Sequence, residues 1–470
     1  MSMQIFYYFC AKFMFEADEI KRRRDMREVL TFTIDPADAK DFDDALSFFR
    51  MPDGNFQIGV HIADVTYYVR PGDDIDREAY TKGTSVYLVD KVLPMIPEVY
   101  ANFLCSLRPG EDKLCMSVVF TLSPEAEVLK FKICRTVIRS DYRLDYGEAQ
   151  AFIDGSDDGA DRPRLRDAVC TLDTLARIMR KKRMDEGALE LESEEVKFRL
   201  DSNKRPVEVY ISRPAEANHL IEEFMLLANR TVAEQLGKTK KKTVWRIHDK
   251  PDAGKLADLD NFKKSVGKTI PPAALYMLTV RAMAKAVYST HNIGHYGLAF
   301  THYTHFTSPI RRYPDMMVHR LVSKYILGEK HHDMDINLDE ACDHCSTCEQ
   351  DAVAAERDSV KYMQALWMKD HRDGVFTGVI SGVKEFGFFV ILDNGWCEGL
   401  VPIHTLCPGC LLEYDEKNFC IRAKGFMPGS AEGAGGFGVA RTFTLGDRVN
   451  VRVEQVNIRK KQVDFRLVEE

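Results

Sequence analysis

Polar and apolar positions alternate strongly near the start of the chain. LTFTID (30–35) leads into an acidic loop, ALSFF (45–49) follows, and after a turn at Pro52, Asp53 and Gly54 the alternation resumes in FQIGVHIADV (56–65). A two-residue period puts alternate side chains on one face of a strand, so this stretch predicts a hairpin with carboxylates gathered at one end. Residues 112–140 read as further strands, whereas 163–186, 217–236, 272–290 and 337–369 carry helical spacing. The class is α+β rather than a regular βαβ alternation. The polar stretch GEKHHDMDINLDE (328–340) is expected to form a surface loop.

After about Asp373 the pattern changes to short strands, glycine turns and clustered aromatics, in GVFTGVISGVKEFGFFVILDNGWCEGLVPIHTL (374–406) and TFTLGDRVNVRVEQVNIRKKQVDFRLV (442–468). Such strands suit a small OB-fold β-barrel. The glycine-rich AEGAGGFGVA (431–440) between them is expected to be a mobile loop. The expected organisation is an N-terminal extension over 1–28, a mixed-sheet domain with packed helices over 29–370 and the barrel over 371–470.

Composition narrows this picture. The chain has 470 residues, 45% hydrophobic and 29% charged, as in ordinary globular proteins with more than one core. Its net charge of −7 argues against a nonspecific polyanion coat, but leaves room for a local basic channel. Twelve scattered cysteines without a secretory leader read as reduced thiols, so a cytoplasmic location is expected. The apolar MSMQIFYYFCAKFMF (1–15) lacks a basic n-region and a small-residue cleavage site, and reads as a packed or frayed terminus. No apolar run reaches the roughly 18 residues of a membrane span.

The acidic loop IDPADAKDFDDA holds Asp35, Asp41, Asp43 and Asp44, with Asp38 nearby. Like charges this dense repel one another unless a hard cation neutralises them, and carboxylate oxygens suit Mg²⁺. The bland alternative is a solvated acidic turn. Farther on, HYGLAFTHYTHFTSPIRRYPDMMVHR (295–320) places Arg311 and Arg312 after a Ser-Pro break, where guanidinium groups and helix N-terminal amides could face a phosphate. Arginines that cap or pair with their own helix are the alternative there.

These stretches resemble the RNase II and RNase R family of exoribonucleases and its RNB catalytic domain, with RNase R the nearer branch. TIDPADAKDFDDAL, HIADVTYYVRPG, GTSVYLVDKVLPMIPE, LCSL, ESEEVKF, EEFMLLAN, RIHDKP and HFTSPIRRYPD follow in the family's order, from about residue 20 to the C-terminus. The resemblance implies processive 3′-to-5′ hydrolysis of single-stranded RNA with a free 3′ end, by a monomer, giving nucleoside 5′-monophosphates. It implies Mg²⁺ on Asp35, Asp41, Asp43 and Asp44, with Mn²⁺ as a substitute. Asp43, Asp44 and Arg311 would be catalytic, and Arg312, at a position that is Arg or Lys in relatives, would contact the RNA. Tyr87 would stack on the last base. Leu191 stands where the bacterial enzyme has a clamping aromatic, a departure that implies weaker clamping. Glu222 and Glu223 would line the nucleotide channel.

The terminal segment resembles the OB-fold RNA-binding module repeated in a large ribosomal protein. Its candidate contacts are Lys384, Phe386, Phe388, Phe389, His404 and the basic turn Arg459, Lys460 and Lys461, although phenylalanines on a strand can equally be core. Residues 371–470 hold 12 Lys and Arg against 13 Asp and Glu, so an RNA face there must be local. Relatives carry N-terminal cold-shock-type barrels for which this chain has no room, hence an expectation of weaker RNA capture with the chemistry retained. CDHCSTC (342–348) and CPGC (407–410) invite a zinc reading, but a helix and a barrel loop would have to meet. His291, His295, His302 and His305 are assigned to packing and hydrogen bonding. Two rival readings are an RNA-binding homologue with a disabled centre and a metal-dependent phosphatase.

Overall fold

The computed structural model describes residues 18–189, 195–252, 254, 283–329, 336–393, 397–406, 410–416, 418–427 and 436–468. Leu191, the first fifteen residues, residues 272–282 of one expected helix, residues 330–335 of the polar loop and 431–435 of the glycine-rich segment lie outside them.

A seven-stranded sheet forms the first layer. Its strands are β1 (Arg24–Asp25), β2 (Thr31–Asp35), β3 (Asp44–Arg50), β4 (Phe56–Ala63), β7 (Asp112–Leu122), β8 (Val128–Arg139) and β9 (Tyr142–Asp145), while β5 (Val86–Leu88) and β6 (Lys91–Leu93) pair as a separate hairpin. The order across the sheet is β1-β8-β7-β4-β3-β2-β9. Both edge strands pair in parallel, β1 with β8 and β9 with β2. Because Arg24–Asp25 belongs to this sheet and Met26 is core, the domain begins ahead of the expected residue 29.

Central strands bury side chains on both faces, and Ile58, Val60 and Ile62 of β4 are fully enclosed. The helices Pro163–Asp185 and Glu216–Lys238 contribute Leu172, Leu220 and Phe224 to the same core. Proline at the first helical turn costs no hydrogen bond, which explains the start at Pro163. Two further pairs follow: β10 (Glu195–Leu200) with β11 (Pro206–Ser212), and β12 (Trp245–Ile247) with β13 (Val287–Ser289). The helix expected over 272–290 therefore does not extend to its end: Val287, Tyr288 and Ser289 suit a strand and find their ladder partners in β12.

The 33-residue helix Leu338–Asp370 joins this layer to a closed barrel of β14 (Val375–Lys384), β15 (Gly387–Leu392), β16 (Glu398–Pro402), β20 (Arg448–Asn457) and β21 (Gln462–Leu467). A smaller sheet of β17 (Leu411–Asp415), β18 (Cys420–Met427) and β19 (Gly436–Thr444) stands beside it. The loop expected over 431–440 is corrected here, because from Gly436 the backbone completes an antiparallel ladder with β18. Among the described residues, no helix is long and apolar enough to cross a membrane.

Candidate active site

The acidic loop joins β2 to β3, so Asp35 and Asp44 stand at the same end of the sheet. Phe42 anchors the loop: its ring is buried, and its backbone N–H donates to Ser106 Oγ at 3.0 Å. Ser106 Oγ in turn donates to Lys40 O at 2.8 Å. With Phe42 directed into the core, its neighbours Asp41 and Asp43 are left beside the open end.

Asp35 is in register with Asp145 of β9, which brings in the next helix, Tyr146–Asp154. That helix opens with a capping box: Glu148 N donates to Asp145 Oδ1 at 2.8 Å, and Asp145 N donates to Glu148 Oε2 at 2.9 Å. Tyr146, at its first position, faces the carboxylates.

The Ser308–Tyr313 segment closes the far wall. Ile310 N donates to Asp43 Oδ1 at 2.8 Å, and Arg311 Nε stands 3.5 Å from Asp43 Oδ2. Arg311 also donates to Ser308 Oγ at 3.1 Å, while Arg312 donates to the buried Asp315 at 2.8 Å. The same segment supports the base of the Tyr87 hairpin, since Ser85 N donates to Arg311 O at 2.9 Å and Tyr313 N donates to Gly83 O at 3.0 Å. Gly83 has φ +67°, and a Cβ there would lie 2.6 Å from Cys348 Cβ, so only glycine lets the hairpin sit this close to the Leu338–Asp370 helix. Glu356 of that helix accepts from Tyr87 N at 2.8 Å, and Tyr87 Oη donates to Asp41 Oδ2 at 3.1 Å.

These parts enclose a cavity of about 590 Å³. Asp35, Asp41, Asp43, Asp44, Tyr87, Glu222, Arg311 and Arg312 all line it, so side chains more than two hundred residues apart meet. Burial raises the Asp35 carboxyl to about 7, with Asp43 and Asp41 adding repulsion against Arg143. Burial likewise raises Asp44 to about 8, with Asp35 adding to it and Arg311 and Arg312 opposing. Asp43 is pushed well above the carboxylate range by burial, against the pull of Arg311 and the Ile310 amide. The loop is therefore not a solvated turn but a strained group of acids.

Asp35 Oδ2 and Asp43 Oδ2 are buried without a hydrogen-bond partner. Among the described residues, no three His, Cys, Asp or Glu side chains form a ready-made metal cage. The all-oxygen donor set of the four aspartates suits a hard cation that completes its shell with water and substrate phosphate, as magnesium does.

Other sequence candidates fall elsewhere. Asp38 is exposed and does not line the cavity. Glu223 points away, buried in an ion pair with Arg183, because it sits one helical position from the channel-facing Glu222. Phe388 is a correction: it is fully buried in the barrel against Phe443 and cannot meet RNA. Phe386 is 51% exposed and, with Phe389, Lys460 and Lys461, lines a second cavity of about 490 Å³. Lys384 and His404 are exposed on the barrel, outside that cavity. Cys342 and Cys345 are buried on the helix, and Cys410 is disulfide-bonded. Residues 407–409 lie outside the described residues. His305 accepts or donates at 2.8 Å to Tyr288 Oη, a packing role.

Sequence reasoning missed Tyr146, Glu195, Asn229 and Tyr303, which also line the catalytic-side cavity. Glu195, Asn229 and Tyr303 fall within ESEEVKF, EEFMLLAN and the 295–320 stretch without having been singled out there, and Tyr146 lies outside those motifs. The nearest usable signal was the Asp-x-x-Glu capping box that sets Tyr146 at a helix start.

Comparison with known proteins bears on the family and the fold. The sequence model of the RNB domain matches residues 23–328. Ribonuclease R of Aquifex aeolicus is 39% identical over 96% of this chain and 66% of its own length. Ribonuclease R of Escherichia coli is 36% identical over 95% of this chain and 57% of its own length, and Ribonuclease R 2 of Lactococcus lactis is 34% identical over 95% and 70%. The chain thus spans about two thirds or less of most of these curated relatives. The apo form of Mycoplasma genitalium RNase R superimposes with a TM-score of 0.84 at 25% identity, covering 95% of this chain and 72% of that one. Yeast Ssd1, described as a pseudonuclease, shares the fold with a TM-score of 0.71 at 21% identity, covering 87% of this chain and 54% of that one. With its matched domain, its sheet and its barrel in agreement, the chain belongs to the RNB domain family.

Proposed function

We propose that this protein is a magnesium-dependent exoribonuclease that degrades single-stranded RNA processively from a free 3′ end to nucleoside 5′-monophosphates, with Mn²⁺ able to replace Mg²⁺. The observation that carries the reading is the convergence of Asp35, Asp41, Asp43 and Asp44 with Tyr87 and Arg311 on one cavity, two of the acid oxygens being buried there without a hydrogen bond. Relatives named Ribonuclease R support the substrate class.

Asp35, Asp41, Asp43 and Asp44 are the residues that would hold the cation. When bound, Mg²⁺ would lower the pKa of a coordinated water and polarise the phosphate. Arg311, 44% exposed into the cavity, keeps a fixed positive charge beside Asp43 and is available to the phosphate oxygens as their charge grows. A carboxylate oxygen of Asp43 or Asp44 takes the proton released by the nucleophile. Tyr87 offers an exposed ring to a terminal base of any kind, hence degradation without sequence preference.

Yeast Ssd1 shares this fold and is named a pseudonuclease, which makes a disabled RNA-binding protein the second reading. The intact set of acids and Arg311 opposes it: four carboxylates in one costly cluster serve no purpose in a mere RNA binder. End-labelled single-stranded RNA incubated with and without Mg²⁺ tests both. Nucleoside monophosphates that appear only with the cation, and vanish in Asp43→Asn while RNA binding persists, support the enzyme; binding without cleavage at any Mg²⁺ or Mn²⁺ concentration sinks it.

A further inference from the structure

A third cavity, of about 610 Å³, opens at the other edge of the sheet. Glu19, Arg22, Arg23, Arg24, Tyr67, Arg70, Lys132, Arg135 and Glu329 supply its polar and aromatic lining. Five strand steps separate β1 from β2 in the sheet order, roughly 24 Å at ~4.8 Å per step, so this cavity is remote from the acidic loop.

Its charges divide into two groups. Arg23 and Arg135 are spent inward: both reach the fully buried Asp64, Arg23 at 2.7 Å, and they also pair with Glu19 and Glu329. Arg22, Arg24, Arg70 and Lys132 are exposed, and no carboxylate pairs with them in the described structure. Four cations facing one concavity repel one another and are best relieved by an anion. In a chain of net charge −7 such a concentration is not an average property of the surface. The Tyr67 ring lies between the guanidiniums of Arg23 and Arg70, with centroid distances of 5.4 and 5.3 Å.

Toward one end of this edge Arg27 and Arg139 are tied to Asp25 and Asp112. Toward the other, the exposed Lys130 of β8 stands two positions from Lys132 and adds a further cation. A basic patch this short, set in a concavity of about 610 Å³, suits a compact anion better than a long polyanion, which needs an extended track.

We propose that this cavity is a binding site for a small phosphate-bearing molecule of nucleotide size, its phosphates held by Arg22, Arg24, Arg70 and Lys132. The site is independent of the catalytic reading and stands or falls without it. Guanidinium groups supply paired donors to phosphate oxygens, and Lys132 adds a point charge.

The test is titration calorimetry of the full chain with AMP and with inorganic pyrophosphate, in EDTA and at low salt. Three proteins are compared: wild type, the double variant Arg24→Glu/Lys132→Glu, and Arg311→Ala. Both substituted positions of the double variant are exposed strand residues, and an unchanged circular dichroism spectrum certifies its fold. The expected result is a binding event that survives Arg311→Ala and weakens roughly tenfold or more in the double variant, as loss of charge-assisted contacts requires. Weakening for AMP but not for pyrophosphate identifies a nucleoside phosphate as the occupant; weakening for both shows that the phosphate suffices, and either supports the site. No event in the wild type with either probe, or equal affinity in the wild type and the double variant for both probes, overturns the proposal. Weakened binding of a 20-nucleotide RNA without any effect on either small probe also overturns it, making this edge an RNA contact instead.

Discussion

Replacing Asp44 with asparagine should stabilise the metal-free protein at alkaline pH while disabling it. Asp44 rises from 3.8 to about 8 because burial and Asp35 disfavour its charged form. A carboxyl whose folded pKa lies above its unfolded one contributes stability that is complete below about pH 4 and lost as the pH climbs through about 8. Four pH units at about 1.4 kcal/mol each set a ceiling near 6 kcal/mol. Asp44 opens partly to water in the cavity and shares its repulsion with Asp35, so about 3 kcal/mol is the figure to expect. In EDTA, Asp44→Asn and wild type should differ by less than about 1 kcal/mol at pH 4.5, and the variant should be ahead by about 3 kcal/mol at pH 8. Urea titration read by hydrogen exchange on peptides from β2 to β4 isolates this layer from the barrel, whose separate unfolding would blur a global signal. Saturating Mg²⁺ should raise the wild type more than the variant at pH 8. Parallel pH profiles for the two proteins, or a less stable variant at pH 8, would refute the reasoning.

Arg311→Ala should lower kcat by about 10²–10³ while leaving RNA affinity within about threefold, since its charge matters most as the phosphate crowds; an unchanged kcat in single-turnover assays removes it from the chemistry. Tyr87→Ala should cost about 1–3 kcal/mol in binding of the 3′-terminal nucleotide, with Tyr87→Phe retaining most of it, and equal affinities for the two variants would deny a stacking role. Phe388→Ala should destabilise the barrel by about 3–5 kcal/mol in thermal unfolding. Phe386→Ala should leave stability within about 0.5 kcal/mol, yet weaken RNA binding in fluorescence anisotropy; the reverse pattern would invert their assignments. Glu223→Gln should destabilise the fold by about 1–2 kcal/mol without changing KM, because Arg183 keeps Glu222 at 3.7 Å and an amide oxygen in place of the carboxylate; a raised KM would return Glu223 to the channel.

The acids of the loop were legible because they crowd into ten positions flanked by strand-forming residues, and Arg311 because a Ser-Pro break precedes a helix. Their meeting was not legible from spacing alone; it is made by the Ile310 amide and the Arg311 guanidinium at Asp43, contacts that only the folded chain brings about. Tyr146 was invisible for a related reason, since it reaches the site through the parallel register of Asp35 with Asp145. Phe388 shows how a correct periodicity misleads. Phe386 and Phe388 are two apart and would share a face on a continuous strand, but Gly387, at φ +147°, starts β15 between them and turns Phe388 inward. A Cβ at Gly387 would lie 2.2 Å from Val401 O, so the kink is fixed by close backbone approach that composition does not announce.

The amide of Ile310 bonded to Asp43 has a consequence for synthesis on the ribosome. A nascent polypeptide that has released its first hundred residues already carries all four aspartates, yet neither the amide nor the guanidinium that offsets them has been translated. Such a partial product carries the acids without the positive charge that offsets them, so the charge balance of the site is reached only once the ribosome has passed well beyond position 311.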